Sequence, residues 1–581
     1  MRRSFPVAAA FALAFVSATV TPAALTAQQG SLAALGAPAN PKVVITWDRY
    51  YDNATLGELA RKLQAAHPDR CRVSSIGKSI EGRDLWLITV TDFRTGEADA
   101  KPAMYIDGNI HSNEVQGSEI ALYTAWWLCE MAGQVPGVDS LLAHKTFYIV
   151  PTINPDGRDN FLNEPNNPHS PRSGLGERDN DNDGDVNEDG YDDLDGDGHI
   201  TSMRRRDPNG RWITSPEDPR YMVRALPDQP GEWEMLGGEG RDNDGDGRVN
   251  EDGEGFYDPN RNWPWRWQPQ YVQGGSDAYP LSLPETRAVV DFVMSHENIA
   301  GAQSYHNSGG MILRGPGMRQ DEYRPQDVRV FDRIGEIGEQ ILPGYRYMVV
   351  WKDLYTVWGG ELDWFYGSRG VVTFSNELWS DFGYFQKEQQ RDRYDSDEMR
   401  FDRLLLLGEA FVPWTTVDHP EYGPIEVGGY KKQYTRAIPA FLLPGEAHRN
   451  MAFTLYHADQ MPRVEVDSVS VRALGNGLSE VTAIIANRRI IPTHTQQDLE
   501  HHITRPDYVT LTGRQVLAGF RVTDPLQNIA VEQRRNPERI EVENVAGMGT
   551  ETVRWIVEGG GAMTISVDSR KGGRHESRVE S

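Results

Sequence analysis

A histidine and a glutamate three residues apart stand directly after an apolar stretch of strand length. They are His111 and Glu114, in the segment GNIHSNE at residues 108–114. An imidazole and a carboxylate at this spacing can reach one metal ion from a single short loop. A loop at the carboxyl end of a parallel strand is also where open α/β sheets bind their ligands. Alone, the pattern is as compatible with a solvated or capping pair as with a metal site.

Four other short motifs also stand in the context of predicted strands, and together they favour a metal site at His111 and Glu114. They are NPDG at residues 154–157, NRNW at 260–263, YHNS at 305–308 and FSNEL at 374–378. Taken in this order with GNIHSNE, they resemble the zinc carboxypeptidase family, the carboxypeptidase A-like metallopeptidases. The resemblance covers about residues 47–407, without two acidic inserts.

The resemblance implies a catalytic zinc ion held by His111, Glu114 and His306. Two imidazoles and one carboxylate leave a fourth position open for water, as a catalytic zinc site requires. Asp258 resembles the family's carboxylate that orients a ligand imidazole, although it also borders an acidic run. Glu377 resembles the family's catalytic glutamate, which takes a proton from zinc-activated water and returns it to the leaving amine.

The resemblance also implies recognition of a free C-terminal carboxylate. Arg261, with Asn260 beside it, would bind the carboxylate through two parallel charge-assisted hydrogen bonds. Tyr355 resembles the family's mobile tyrosine, which closes over bound substrate. Leu362 takes the position at the base of the side-chain pocket, so we expect aliphatic or aromatic C-terminal residues, unless the neighbouring Glu361 turns inward.

One arginine of the run 204–206 lies where the family keeps an arginine that stabilises the tetrahedral oxyanion. We select Arg204 for this role, in which a fixed positive charge faces the developing negative charge. Three consecutive arginines and a preceding insert leave the register of this assignment open.

Three acidic segments between residues 160 and 257 repeat one pattern, in which carboxylates alternate with other residues and a glycine follows. This is the first half of an EF-hand-type calcium loop. The usual glutamate at the twelfth position is absent, and Glu188 and Glu251 are candidates to replace it. The alternative is a disordered acidic spacer. The predicted calcium ligands are Asp179, Asp181, Asp183, Asp193, Asp195, Asp197, Asp242, Asp244 and Asp246.

The elements that position these motifs alternate between short apolar runs and longer helical patterns. They predict an α/β catalytic domain at residues 41–415, with a mixed central sheet, flanking helices and the calcium-loop inserts at 160–257. From about residue 463, short β-branched runs alternate with turn residues, which predicts a β-sandwich accessory domain within 445–570. We read His494, His501 and His502 in this region as ordinary surface histidines.

The composition and the N-terminal segment limit where the protein can be located and which partners it can bind. Arg2 and Arg3 precede a short apolar stretch and small residues, which predicts a signal peptide at 1–27 and a secreted or periplasmic protein. No segment is long and apolar enough to span a membrane. The net charge of −26 argues against a nucleic-acid partner. Cys71 and Cys129 are either a disulfide or two buried free thiols.

The sequence therefore predicts a secreted zinc metallocarboxypeptidase that acts on peptides with a free C-terminus and also binds structural calcium. One alternative keeps the zinc chemistry but cuts bacterial cell-wall peptides. Another is a non-catalytic, calcium-stabilised binding protein on the same scaffold. The sequence leaves the oligomeric state open.

Overall fold

A computed structural model of the protein describes residues 35–165, 172–379, 384 and 394–580. The predicted signal peptide lies outside the described residues. Among the described helices, none has the length and apolar character needed to cross a membrane.

An eight-stranded mixed sheet forms the centre of the first 410 residues. Its strand order is β1-β2-β4-β3-β9-β12-β10-β11. The pairs β3–β4, β3–β9, β9–β12 and β10–β11 are parallel, and the pairs β1–β2, β2–β4 and β10–β12 are antiparallel. The strands of the region, in chain order, are β1 (Cys71–Lys78), β2 (Asp84–Val90), β3 (Ala103–Gly108), β4 (Thr146–Val150), β5 (Ser202–Arg206), β6 (Trp212–Thr214), β7 (Met222–Arg224), β8 (Trp233–Gly238), β9 (Ile299–Asn307), β10 (Met311–Arg314), β11 (Arg346–Val349), β12 (Val372–Leu378), β13 (Phe411–His419) and β14 (Gly423–Tyr430).

Helices cover both faces of this sheet, which confirms the predicted carboxypeptidase-like α/β architecture. One buried apolar cluster packs α1, α2, α6 and α10 on one face, and a second packs α5 and α7 on the other. All residues of β3 and β9 are buried, as expected for central strands covered on both sides. The helices are α1 (Asn53–Ala66), α2 (Gln116–Met131), α3 (Pro136–His144), α4 (Pro155–Asn163), α5 (Pro284–Ser295), α6 (Pro325–Ile341), α7 (Glu361–Arg369), α8 (Asp397–Phe401), α9 (Lys432–Arg436), α10 (Leu443–Gln460) and α11 (Gln496–His501).

The acidic inserts contain a second sheet that the sequence did not predict. Strands β5 to β8 pair with β13 and β14 in the order β13-β14-β5-β8-β6-β7. The chain thus returns after the central sheet to complete the sheet of the insert, with Glu426 of β14 opposite Arg204 of β5. The predicted end of the catalytic domain, residue 415, falls inside β13.

The C-terminal region is rich in strands, which form a five-stranded sheet (β15-β16-β21-β18-β19) and a four-stranded sheet (β20-β17-β22-β23). Apolar residues from both sheets share one buried cluster around Trp555. The predicted boundary at residue 445 falls within α10, which packs on the central sheet. The strands are β15 (Val464–Gly475), β16 (Leu478–Asn487), β17 (Asp507–Thr512), β18 (Gln515–Asp524), β19 (Ile529–Glu532), β20 (Arg539–Val542), β21 (Thr550–Glu558), β22 (Met563–Ser569) and β23 (Gly573–Val579).

A buried charged network joins the C-terminal region to α7. The Lys571 ammonium donates to Asp498 Oδ2 at 2.8 Å and to the Arg369 carbonyl at 2.7 Å. His494 contacts Asp498 and Asp507 and is 3% exposed, so its reading as a surface histidine is wrong. Burial alone would lower the pKa of His494, but the two carboxylates raise it to about 9.

The two cysteines are buried free thiols. Cys71 begins β1 and Cys129 lies in α2.

Candidate active site

The loop that carries His111 and Glu114 is fixed by its own buried polar groups. β3 ends at Gly108, where an added Cβ would lie 2.7 Å from the backbone of Gly117, so the close approach of the strand to α2 requires glycine. Asn109 follows with φ of 54°, and its side-chain amide donates to the His111 carbonyl at 2.7 Å. The buried guanidinium of Arg158 donates to Asn109 Oδ1 at 2.9 Å. These contacts hold the loop that carries His111 and Glu114.

Three potential metal ligands converge at the carboxyl ends of β3 and β9. Glu114 Oε2 lies 2.9 Å from Nδ1 of His111 and 2.9 Å from Nδ1 of His306, and the two Nδ1 atoms are 3.3 Å apart. Burial alone would raise the pKa of Glu114, but the two imidazoles hold it well below its usual value. Glu114 is therefore a carboxylate, the form that a metal ligand takes.

The donor set and its surroundings fit zinc. Zinc prefers imidazole nitrogen and carboxylate oxygen in a compact set, and each ligand imidazole needs a partner on its other nitrogen. His111 Nε2 lies 2.9 Å from the carboxylate oxygen Asp258 Oδ1, which supplies that partner for His111. Asp258 therefore lies where it can orient the imidazole of His111, the role that the family resemblance implies.

Glu377 lies beside this set but outside it. It is the penultimate residue of β12 and pairs in parallel register with His306 of β9. Burial and the nearby Glu114 raise its pKa, against the opposing effect of the two histidines and Arg172. A half-buried carboxyl group with this neighbourhood is suited to exchange a proton with a ligand of the metal.

A cleft next to the ligands contains the predicted substrate-binding residues. Arg261 is 9% exposed, and its guanidinium is held by the Asn260 carbonyl at 2.7 Å and by Asp258 at 3.6 Å. Tyr355 is 53% exposed and stands at the end of a π-helical turn, Val350–Leu354. The cleft is lined by His111, Arg172, Asn260, Arg261, His306, Leu313, Gly317, Val350, Leu354, Tyr355, Val357, Gly360, Glu361, Leu362, Asp363, Ser375 and Glu377.

Comparison with known proteins agrees with this geometry. The family model for zinc carboxypeptidases matches residues 56–401, which is more than half of the chain. The chain belongs to the zinc carboxypeptidase family. A second model, for a domain of unknown function, matches residues 463–580.

Two curated relatives of this zinc carboxypeptidase match over short regions. Carboxypeptidase SOL1 of Arabidopsis thaliana is 40% identical over 86 residues, which cover 15% of this chain and 17% of that protein. Carboxypeptidase D of Homo sapiens is 33% identical over 97 residues, covering 17% of this chain and 7% of that protein. A crystal structure of thrombin activatable fibrinolysis inhibitor aligns with a TM-score of 0.45 at 17% identity, covering 72% of this chain and 76% of that one. The chain therefore spans less than a fifth of the length of these two curated relatives.

The zinc carboxypeptidase site contains an arginine that sequence reasoning missed. Arg172 Nε donates to Asp258 Oδ2 at 3.0 Å, and its Nη2 lies 2.8 Å from His111 Nε2. Its Nη1 is 3.6 Å from Glu114 Oε1. The sequence offers only an indirect signal for Arg172. If Asp258 and Glu114 are both buried at the site, a cation is expected near them.

Arg204, the predicted oxyanion arginine, lies elsewhere in the fold. It belongs to β5 of the second sheet, where its guanidinium pairs with Glu426 at 2.6 Å. The guanidinium also lies between the rings of Trp233 and Trp414, at 3.9 and 3.8 Å from the ring centroids. These contacts hold Arg204 away from the cleft, so the structure does not bring it together with His111, Glu114 and His306.

The acidic turns of the insert fold into compact loops. In each, the first aspartate accepts backbone N–H groups from the following residues, as Asp193 does from Gly196 and Gly198. The carboxylates of Asp179, Asp181 and Asp183, and those of Asp193, Asp195 and Asp197, lie within 4.8 Å of one another. In the third loop, Asp242 accepts in the same way from Gly245 and Gly247, and Asp244 and Asp246 follow it.

Hydrogen bonds in both directions connect the loop that begins at Asp179 with the loop that begins at Asp242. Asn180 donates to Asp252 at 2.7 Å, and Asn243 donates to Asp189 at 3.0 Å. Asp189 and Asp252 are fully buried and bridge the two segments through their backbones. These hydrogen bonds hold the first and the third acidic loop together in the described structure.

Proposed function

We propose that this chain is a zinc-dependent metallocarboxypeptidase that removes the C-terminal residue of peptides. The observation that carries the proposal is the presence of Arg261 in the same cleft as the zinc ligand set and Glu377. A buried guanidinium beside a hydrolytic metal centre recognises a terminal carboxylate, which an internal peptide bond does not offer.

His111, Glu114 and His306 would hold a zinc ion, which when bound would polarise the scissile carbonyl and lower the pKa of a water molecule. The Glu377 carboxylate would act as the general base, taking up a proton and returning it to the leaving amine. Arg172 faces the developing oxyanion with a fixed positive charge.

Arg261 and Asn260 bind the terminal carboxylate, and the exposed Tyr355 covers the bound residue. Leu362 contributes to an apolar wall with Leu313 and Val350. This wall supports a C-terminal side chain with a hydrocarbon stem. The N-terminal segment of residues 1–27 supports export of the protein.

The test uses matched peptides that end in Phe or in Arg, each as a free acid and as an amide. We expect release of the last residue from the free acids only, and abolition of release by a zinc chelator. Arg261→Met should lower kcat/KM for the acids about 10- to 100-fold, because it removes charge-assisted hydrogen bonds. The readout is mass spectrometry of the products.

Arg287→Met is the matched control, because Arg287 is exposed and donates only to carbonyls of its own segment. Equal cutting of acids and amides would contradict recognition of the carboxylate and indicate an endopeptidase. Absence of cutting by the zinc-loaded protein would favour the cell-wall peptidase or the binding-protein alternative.

We further propose that the acidic loops bind structural calcium. One support is the clustering of the aspartate carboxylates. A second is that Oε2 of Glu188 and both carboxyl oxygens of Glu251 are buried without a hydrogen-bond partner in the described structure. These two residues are the candidates to replace the missing twelfth-position ligand.

Calcium at 1 mM should raise the melting temperature by about 2 °C for each ion bound, if its Kd is about a hundredfold lower. The measurement is thermal unfolding of the zinc-loaded protein with calcium, with magnesium and after a calcium chelator. Asp181→Asn together with Asp244→Asn should reduce the shift, whereas Asp228→Asn, an exposed aspartate of the same insert, should not. An unchanged melting temperature in calcium would contradict the proposal.

A further inference from the structure

A second cavity adjoins the cleft on the side of the acidic insert. Its volume is about 660 Å³, which lies within the range of small-molecule binding sites. Arg172 lines both this cavity and the cleft, and Ser112, the neighbour of His111, also lines the cavity. A peptide whose last residue lies at Arg261 can therefore extend past Arg172 into this cavity, which we call the insert chamber.

The acidic insert supplies a large part of the chamber wall. Asn187 follows the first acidic turn, Asn243 belongs to the third, and Glu254 and Phe256 lie between the third turn and Asp258. The motifs that carry the family resemblance all lie outside this insert. The chamber is therefore a feature of the insert of this chain and not of the conserved-fold sheet that carries those motifs.

Two hydrogen bonds join the chamber wall to the metal-ligand candidates. The Gly176 N–H donates to Tyr257 Oη at 3.1 Å, and Arg172 Nε donates to Asp258 Oδ2 at 3.0 Å. Asp258 Oδ1 in turn lies 2.9 Å from His111 Nε2. The chamber wall is therefore held in place relative to His111.

The chamber carries an unbalanced negative charge. Its lining contains the three carboxylates of Asp192, Glu254 and Asp258 and one guanidinium, that of Arg172. Arg172 pairs with Asp258 at 3.0 Å, and Asp192 lies 3.4 Å from Arg241. Glu254 forms no ion pair and no side-chain hydrogen bond with any other residue that the structure describes. Its carboxylate is therefore available to a ligand.

The surroundings of Glu254 favour a positively charged ligand group. Partial burial raises the pKa of Glu254, and the nearby carboxylates of Glu81 and Glu164 raise it further. A cation would offset these unfavourable terms, and a cavity lined by one sign of charge concentrates ions of the opposite sign. Phe256, which is 52% exposed, and Tyr191 add aromatic rings to the lining, and such rings attract ammonium groups.

We propose that the insert chamber binds the part of the peptide substrate upstream of the scissile bond, and that Glu254 pairs there with a positively charged amine. The inference rests on the proposed carboxypeptidase function and adds a preference for what precedes the released residue. Two groups of a peptide offer this chemistry. One is the free α-amine of a short peptide, and the other is the side chain of an upstream lysine.

The test compares Ala-Ala-Phe, N-acetyl-Ala-Ala-Phe and N-acetyl-Lys-Ala-Phe as substrates of the zinc-loaded protein, with a parallel series that ends in Arg. At least one of the two peptides that carry an upstream cation should have a kcat/KM about fivefold or more above that of N-acetyl-Ala-Ala-Phe. The peptide that gains identifies the source of the amine. The ratio should fall as salt is added, because the carboxylate is accessible to solvent.

Glu254→Gln should bring this ratio to within about twofold of one and leave kcat/KM for N-acetyl-Ala-Ala-Phe within about twofold of the wild type. Glutamine keeps the size of the side chain and removes its charge. Glu217→Gln is the matched control, because Glu217 is an exposed glutamate of the same insert that does not line the chamber. This control should keep the wild-type ratio.

Equal kcat/KM for the three peptides, or a preference that Glu254→Gln retains, would overturn the inference and leave the carboxypeptidase proposal standing. An equal loss of the preference in Glu217→Gln would also overturn it, because the overall charge of the insert would then explain the preference. If no peptide is cleaved, the carboxypeptidase proposal fails. Calorimetric binding of the same peptides then decides the inference separately, which is overturned if neither cationic peptide binds tighter than N-acetyl-Ala-Ala-Phe.

Discussion

Glu377→Gln is expected to lower kcat for free-acid peptides about 10²- to 10⁴-fold, the range that a positioned general base contributes. Glutamine keeps the size of the side chain and its place on β12, but an amide cannot take a proton from water. Glu377 is not one of the three residues whose ligand atoms converge, so the variant should still bind zinc. The loss should therefore appear in kcat, with KM changed much less.

The measurement pairs steady-state kinetics with the zinc content of the purified variant. Glu114→Gln provides the contrast, because it changes a converging ligand and should lose zinc together with activity. Retained zinc with a kcat within about threefold of the wild type would remove Glu377 from the mechanism. Equal loss of zinc in both variants would place Glu377 among the ligands.

The meeting of His111, Glu114 and His306 was predictable because its signals are local. His111 and Glu114 share one loop after a buried strand, and His306 and Glu377 end neighbouring strands whose apolar runs are visible in the sequence. Parallel strands bring their carboxyl ends to one edge, so the sequence pattern already implies the meeting point of these side chains.

Arg172 and the second sheet could not be predicted in the same way, because they depend on contacts between distant segments. Arg172 lies in an irregular segment and is brought to the site by Asp258, 86 residues further along the chain. Strand β5 pairs with β8 and with β14, and β14 follows the whole central sheet, so the sequence did not predict the complete sheet. The inward turn of Glu361 was left open for a similar reason, since Ser304 Oγ, which lies 3.1 Å from Glu361 Oε2, reaches it from a distant strand.

Arg172→Met is expected to lower kcat about 10²- to 10³-fold, the cost of removing one preorganised oxyanion donor. The guanidinium is held by Asp258 and stands within 2.8 Å of His111, at the edge of the ligand set. Its charge is already in place before negative charge develops on the substrate oxygen. Since the ground-state carbonyl needs it less than the tetrahedral intermediate does, the loss should fall on kcat more than on KM.

Arg204→Met is the decisive comparison, because the sequence pattern alone would have assigned it the same role. Arg204 forms an ion pair with Glu426 and packs between two tryptophan rings in the second sheet. Its replacement should therefore lower the free energy of unfolding and leave kcat of the folded fraction nearly unchanged. Kinetics normalised to folded, zinc-loaded protein separate the two effects. If Arg204→Met instead lowers kcat of the folded protein a hundredfold while Arg172→Met does not, the oxyanion role returns to Arg204. The second sheet would then have to approach the cleft during the reaction, because the ion pair with Glu426 holds that guanidinium in place in the structure.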